Sequence, residues 1–201
     1  MSPPLPISPE QYLSAERATP TKHELVNGVM YAMAGASLAH VEIVSSLIFL
    51  LGLALTGSAC RPLGSDVRVK VPDTEMYAYP DISVVCGKAI LKDDHMDTLL
   101  NPVVIFEVLS PSTESYDRVA KFAHYRRLAT LKSYVLVSQE APMIDRYDRG
   151  DDGQWVLSDC WGVDSSLQIP SLGISIPLAK VYENVDLPPD HLSRQPWAKS
   201  D

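Results

Sequence analysis

The spacing of apolar residues along this chain changes several times, and each change marks an element. From Ile43 to Cys60 there is no charged residue, and strongly apolar side chains fill Leu47 to Leu55. A stretch hydrophobic all round reads as a buried helix, predicted over 37–55 with a Gly-Ser break after it. It is not expected to span a membrane, because Ser45, Ser46, Gly52, Thr56 and Gly57 interrupt the run and a span needs about 20 apolar residues. Upstream, ISPEQYLSAE combines Ser8, Pro9 and Gln11 as a capping box, which predicts a short helix. HELVNGVMYAM sets Asn27-Gly28 between two apolar runs, a hairpin signal.

Runs rich in Val, Ile and Tyr predict strands at 61–71, 79–86 and 103–109, the last two separated by the polar loop KDDHMD. Helical periodicity returns over 115–129, with Val119, Phe122, Ala123 and Leu128 on or near one face. Three further strands are predicted at 133–138, 143–148 and 154–160, with the turn sequence RGDDG before the last. SLQIPSLGISIPLAKVYENV closes a single α/β domain at about 187, and the composition from Pro188 is that of a loose tail. The order of elements predicts a mixed β-sheet with a helix on each face.

Composition narrows the function. The 201 residues are 46% hydrophobic and 21% charged, as in an ordinary globular domain. A net charge of −8 argues against broad, charge-driven coating of nucleic acid. The charge is uneven, because 118–132 holds five Lys or Arg residues and no acid. Cys60, Cys86 and Cys160 are odd in number and widely spaced, so reduced core cysteines are expected rather than a disulfide or a zinc site. MSPPLPISPEQ lacks the basic and apolar regions of a signal peptide, and a cytoplasmic location is expected.

The chemistry centres on VVIFEVLSPS, where Glu107 interrupts an apolar strand. A carboxylate in that setting needs a cationic side chain, a hydrogen-bond donor or a metal ion. YPDISVVC carries a second acid, Asp81, sharing a face with Tyr79, Ser83 and Val85 at period two. Taken alone, Asp81 after Pro80 also suits a turn cap. If the two strands pair, one register sets Asp81 beside Glu107, and two close carboxylates call for a proton or a shared hard cation such as Mg²⁺. Lys121 lies four residues after Asp117 and four before Tyr125, on one helix face. It can pair with Asp117 or reach back over the end of the Glu107 strand. Two carboxylates and a lysine are the apparatus of metal-assisted phosphodiester hydrolysis. There is no G-x-S-x-G, no zinc-type histidine spacing and no phosphate-binding glycine loop.

PD followed after a loop by E-V-L resembles the PD-(D/E)XK nuclease superfamily. More narrowly, HELVNGVMYAM, SDVRV, YPDISVVC, FEVLSPSTESYDRVAKFAHYRRL and PSLGISIPLAKVYENV resemble the Uma-type restriction endonuclease family. The lysine of the superfamily pattern, two residues after the glutamate, is here Leu109, and Lys121 on the following helix takes its place. The resemblance implies a restriction-endonuclease-like mixed sheet flanked by helices. It further implies a metal held by Asp81, Glu107 and the carbonyl of Val108, with Lys121 assisting the base and Glu24 as an added acidic member. The implied cofactor is Mg²⁺ or Mn²⁺ and the implied partner is nucleic acid, DNA above RNA. His40 stands where the family carries a histidine near the start of the long helix. A homodimer follows by analogy with the fold. A non-cleaving member acting in binding or assembly is the competing reading.

Overall fold

The computed structural model describes residues 6–33, 35–72, 74–189 and 191. Helix α1 (Pro9–Glu16) begins with the predicted box: Ser8 Oγ accepts from the Gln11 amide and Gln11 Oε1 accepts from the Ser8 amide. Strands β1 (His23–Val26) and β2 (Val29–Ala32) form the hairpin. Asn27 and Gly28 both take positive φ, 50° and 80°, as a two-residue turn of that hand requires. Helix α2 (Leu38–Ala54) is capped by Ser37, whose Oγ accepts from the His40 amide.

Two predicted strands each divide. The segment 61–71 forms β3 (Cys60–Gly64) and β4 (Arg68–Val71), separated by a turn at Ser65-Asp66. The segment 79–86 keeps only β6 (Ile82–Cys86), while β5 (Met76–Ala78) precedes it. Pro80 has no N–H for a ladder, so the strand cannot run through it. Each break moves the chain between two sheets. A five-stranded sheet is ordered β2-β1-β5-β4-β7, with the short β7 (Thr98–Leu99) parallel to β4. A six-stranded sheet is ordered β11-β10-β9-β8-β6-β3. Its members β8 (Val104–Leu109) and β9 (Ser133–Ser138) are parallel, while β10 (Met143–Arg149) and β11 (Trp155–Trp161) complete an antiparallel meander. A small ribbon of β12 (Ser166–Ile169) and β13 (Ile174–Pro177) leads into the one-turn α5 (Leu178–Val181).

Alternation along β8 explains the layers. Val104, Phe106 and Val108 face a core made with Ile43, Leu47 and Leu51 of α2. Ile105 and Leu109 face the opposite core, with Tyr125, Leu128 and Tyr134. The fold is therefore a mixed α/β structure with helices on both sides of the large sheet, as predicted.

The second helix differs from expectation. It runs as α3 (Glu114–Tyr116), a π-helical turn over Asp117–Lys121, and α4 (Phe122–Tyr125). Val119, expected on the apolar face, is 68% exposed, whereas Asp117, Lys121 and Tyr125 form the buried stripe. The polar face of this helix points inward because a carboxylate cluster waits for it. The cysteines also differ: Cys60 and Cys86 stand opposite one another in the β3–β6 register and form a disulfide. Spacing along the chain does not reveal that cross-strand register. Cys160 remains a free thiol, pushed up to about 11 by burial. Among the described residues no helix is long and apolar enough to cross a membrane. The loose tail predicted from Pro188 lies largely outside the described residues.

Candidate functional site

Glu107 sits on the α4-facing side of β8 and is 4% exposed. The ladder between β6 and β8 ends at Ile82 opposite Phe106. Asp81 and Glu107 follow immediately on the two strands, so continuing that register sets them level. Oδ2 of Asp81 accepts from the Val108 amide at 2.7 Å and lies 3.1 Å from Nε2 of His40. Asp81 thus stitches the chain crossover after Pro80 to the central strand.

Lys121 comes down from the π-helical turn. Its Nζ lies 2.9 Å from Oε1 of Glu107, 3.2 Å from Oε1 of Glu24 and 3.5 Å from Oδ1 of Asp117. Glu24 belongs to β1 of the other sheet, and its Oε1 also accepts from the Tyr79 amide at 3.2 Å. Tyr125, one turn beyond Lys121, donates its hydroxyl to Oε1 of Glu107 at 3.1 Å. Both donors fall on Oε1 of Glu107. The structure therefore gathers Glu24, Asp81, Glu107 and Lys121, all four side chains named from sequence, where both sheets and the helix meet. It places the Val108 amide on Asp81.

The site holds more negative than positive charge. Three carboxylates, Glu24, Glu107 and Asp117, surround the Lys121 ammonium, a fourth, Asp81, adds its charge at Glu107, and none of the five side chains is more than 15% exposed. Burial pushes the Glu107 carboxyl well above the usual range; Lys121 opposes this, while Asp117, Asp81 and Glu24 add to it. Asp117 is raised for the same reasons, burial first, against the pull of Lys121. Burial would lower the Lys121 ammonium, but Glu107 leads the neighbours that hold it well above its ordinary value. The lysine is thus a fixed cation among acids that it cannot all neutralise.

That imbalance, with oxygen-only donors, suits a hard divalent cation. Among the described residues no three His, Cys, Asp or Glu side chains converge as a metal cage. Mg²⁺ does not need one, because it keeps several waters and takes one or two carboxylates. Asp81 and Glu107 therefore fit as its protein ligands.

Three residues not assigned a role from sequence also belong here. His40, which the family resemblance marked, continues the inward stripe of α2, which runs on through Ile43, Leu47 and Leu51. Asp117 and Tyr125 lie at i−4 and i+4 from Lys121. Behind Tyr79 runs a buried polar chain: its hydroxyl donates to Glu16 at 2.9 Å and accepts from Arg68 at 3.0 Å. Arg68 pairs with Asp97, and Arg17 clasps Asp97 and Asp93. The basic run at 118–132 proves divided. Arg118 is tied to Glu114 and Asp145 and Lys121 is buried, leaving Arg126, Arg127 and Lys132 exposed. A broad concavity of about 570 Å³, lined by Asn27, Thr74, Glu75, Ala123, His124 and Arg127, contains none of the site residues.

A mixed sheet whose central strand carries a buried glutamate beside an aspartate, with a lysine from the next helix, is the framework of a nuclease-type fold. The chain belongs to the family described as "Uma2: Putative restriction endonuclease", which matches residues 9–179. It is 37% identical over 179 residues to the protein slr1290 of Synechocystis sp., covering 89% of this chain and 93% of that one. It is 29% identical over 168 residues to sll1609 of the same organism, covering 84% and 95%. Its fold matches the crystal structure of a putative nuclease belonging to DUF820 from Anabaena variabilis, with a TM-score of 0.72. That match has 16% identity and covers 89% of this chain and 98% of the other.

Proposed function

We propose that this protein is a metal-dependent endonuclease that hydrolyses phosphodiester bonds in nucleic acid, with DNA as the substrate. The observation that carries the reading is the buried ammonium of Lys121 set among Glu24, Glu107 and Asp117, with the Asp81 carboxylate acting on Glu107 beside it. Asp81 and Glu107, with the carbonyl of Val108, would hold Mg²⁺ or Mn²⁺. Such an ion, once bound, polarises a phosphoryl oxygen and makes bound water more acidic.

The protein's own groups have separable tasks. The Val108 amide and His40 both engage Oδ2 of Asp81, which fixes the orientation of that carboxylate. Tyr125 and Lys121 do the same for Glu107 through Oε1. Lys121, kept protonated by three acids, acts as a cation that orients water or offsets charge developing on the phosphate. Removal of a proton from water by Lys121 itself is not favoured by that environment, which leaves the assisting role that the family resemblance implies. Glu24 anchors Lys121 and couples β1 to the site. Asp81 and His40, with side chains 15% and 18% exposed, are the most open members of the cluster, so substrate approaches from their side.

The near closure of the other side chains favours a second reading, a non-cleaving protein of this fold acting in binding or assembly. Incubation of supercoiled plasmid with Mg²⁺ or Mn²⁺ separates the two. The nuclease reading expects nicked or linear product from the wild type and none from Asp81→Ala. Intact plasmid together with no metal binding favours the second reading.

A further inference from the structure

Helix α2 is apolar on both sides, yet among the described residues only one side is covered. Ile43, Leu47 and Leu51 are fully buried in the core. On the outer side Leu38 is 73%, Val41 49%, Phe49 69% and Leu53 64% exposed. At 100° per residue these four fall within one stripe, with the exposed Ser45 near its centre and the half-buried Glu42 between Phe49 and Leu53. Scattered exposed apolar residues need no explanation, but a continuous stripe on one helix marks an interaction surface.

The spacing of the stripe selects the occupant. Val41 and Phe49 stand four residues to either side of Ser45, and Leu38 and Leu53 stand seven and eight residues away. A second α2 laid antiparallel across the first therefore sets Val41 against Phe49 and Leu38 against Leu53 at both ends. The small Ser45 residues meet at the crossing, where close approach is needed. This is the self-complementary pattern of a two-fold interface.

Charge points the same way. The protein carries −8 overall, so two copies repel over most of their surfaces. Between Lys22 and Arg61 there is no Lys or Arg, and Glu42 is the one charged residue between Leu38 and Ala54, counting histidine as neutral. Glu42 is the one charge on the stripe, so an acidic partner or an anionic lipid surface finds no basic anchor there. The four side chains offer on the order of 400 Å² per copy. Doubled and joined by the flanking Ser, Gly and Ala positions, that approaches the roughly 1,000 Å² a specific dimer needs.

We infer that the outer face of α2 is the interface of a homodimer in which two α2 helices pack antiparallel about Ser45. The inference is independent of the nuclease reading. Sedimentation equilibrium of the full chain across the micromolar range tests it. The wild type is expected at twice the monomer mass. Phe49→Glu and Val41→Lys are each expected to be monomeric, with unchanged circular dichroism, since neither side chain is buried. Mixing the two variants is expected to restore a dimer, because the antiparallel register sets the new glutamate against the new lysine. A monomeric wild type overturns the proposal and leaves the stripe to a different partner. Dimers that persist in both single variants, or variants that fail to complement, overturn it as well.

Discussion

Nε2 of His40 lies 3.1 Å from Oδ2 of Asp81, the same oxygen that accepts from the Val108 amide. Two donors from different elements therefore hold one carboxylate oxygen and fix where the other points. A group that orients a metal ligand in this way typically contributes 10–100-fold in metal affinity or activity. His40→Ala is expected to weaken Mn²⁺ binding by about that factor, measured by calorimetry. His40→Gln, which keeps an amide donor near the Nε2 position, is expected to recover most of it. Equal binding by wild type and His40→Ala contradicts an orienting role.

Lys121 and Glu107 are 6% and 4% exposed, so neither can be removed without consequence for the other. Breaking a buried ion pair from one side costs about 3–5 kcal/mol, because the remaining charge has lost its partner. Lys121→Met is expected to lower unfolding free energy by about that amount in urea. Adding Glu107→Gln is expected to restore part of the loss. A Lys121→Met protein as stable as wild type contradicts the pairing.

Asp97 joins α1 to the buried polar chain behind Tyr79. Hydrogen bonds from Arg17 hold its carboxyl far below the usual range; burial opposes them, and Arg68 and Thr98 add to them. A depressed folded-state value means that this stability is present above the ordinary value of 3.8 and is lost as pH falls toward the folded one. Asp97→Asn is expected to be less stable than wild type at pH 7, by about 1–3 kcal/mol for a lost charged hydrogen bond. The gap should narrow below about pH 4. A gap of constant size through the acid range, in urea titrations at stepped pH, contradicts the linkage.

The disulfide between Cys60 and Cys86 ties edge strand β3 to β6, which begins one residue after Asp81. The two cysteines are 26 residues apart, and a loop of that size contributes about 3–4 kcal/mol in the chain-entropy account. Alkylation of the denatured, unreduced protein is expected to label Cys160 alone, and all three cysteines after reduction. The melting temperature should fall on reduction. Three labelled thiols without reduction contradict the bond.

Much of this molecule was legible in the sequence. The α1 capping box, the Asn27-Gly28 hairpin, α2 and the β9–β11 meander follow from local rules that their side chains obey. Glu107 was legible because a carboxylate in a run of Val, Ile and Phe has no local reason to be there. Asp81, Glu24 and Lys121 came from motif spacing and family resemblance, and the structure gathers them around Glu107. The division of 61–71 between two sheets was not legible, because pairing partners are chosen by tertiary contacts, whereas Pro80 was the overlooked signal for the break in 79–86. The inward polar stripe of 117–125 was misread because an apolar-face rule assumes that the core wants apolar groups, and here it holds acids. The Cys60–Cys86 pairing depends on register, which no spacing rule supplies.

Asp81 and Glu107 are proposed to share a divalent cation beside Lys121. Anomalous diffraction from crystals grown with Mn²⁺ tests it directly. A peak is expected bonded to a carboxylate oxygen of each acid, at the roughly 2.0–2.2 Å of a hard-metal contact, and lost in Glu107→Ala. A peak elsewhere in the molecule, or none at saturating Mn²⁺, contradicts it.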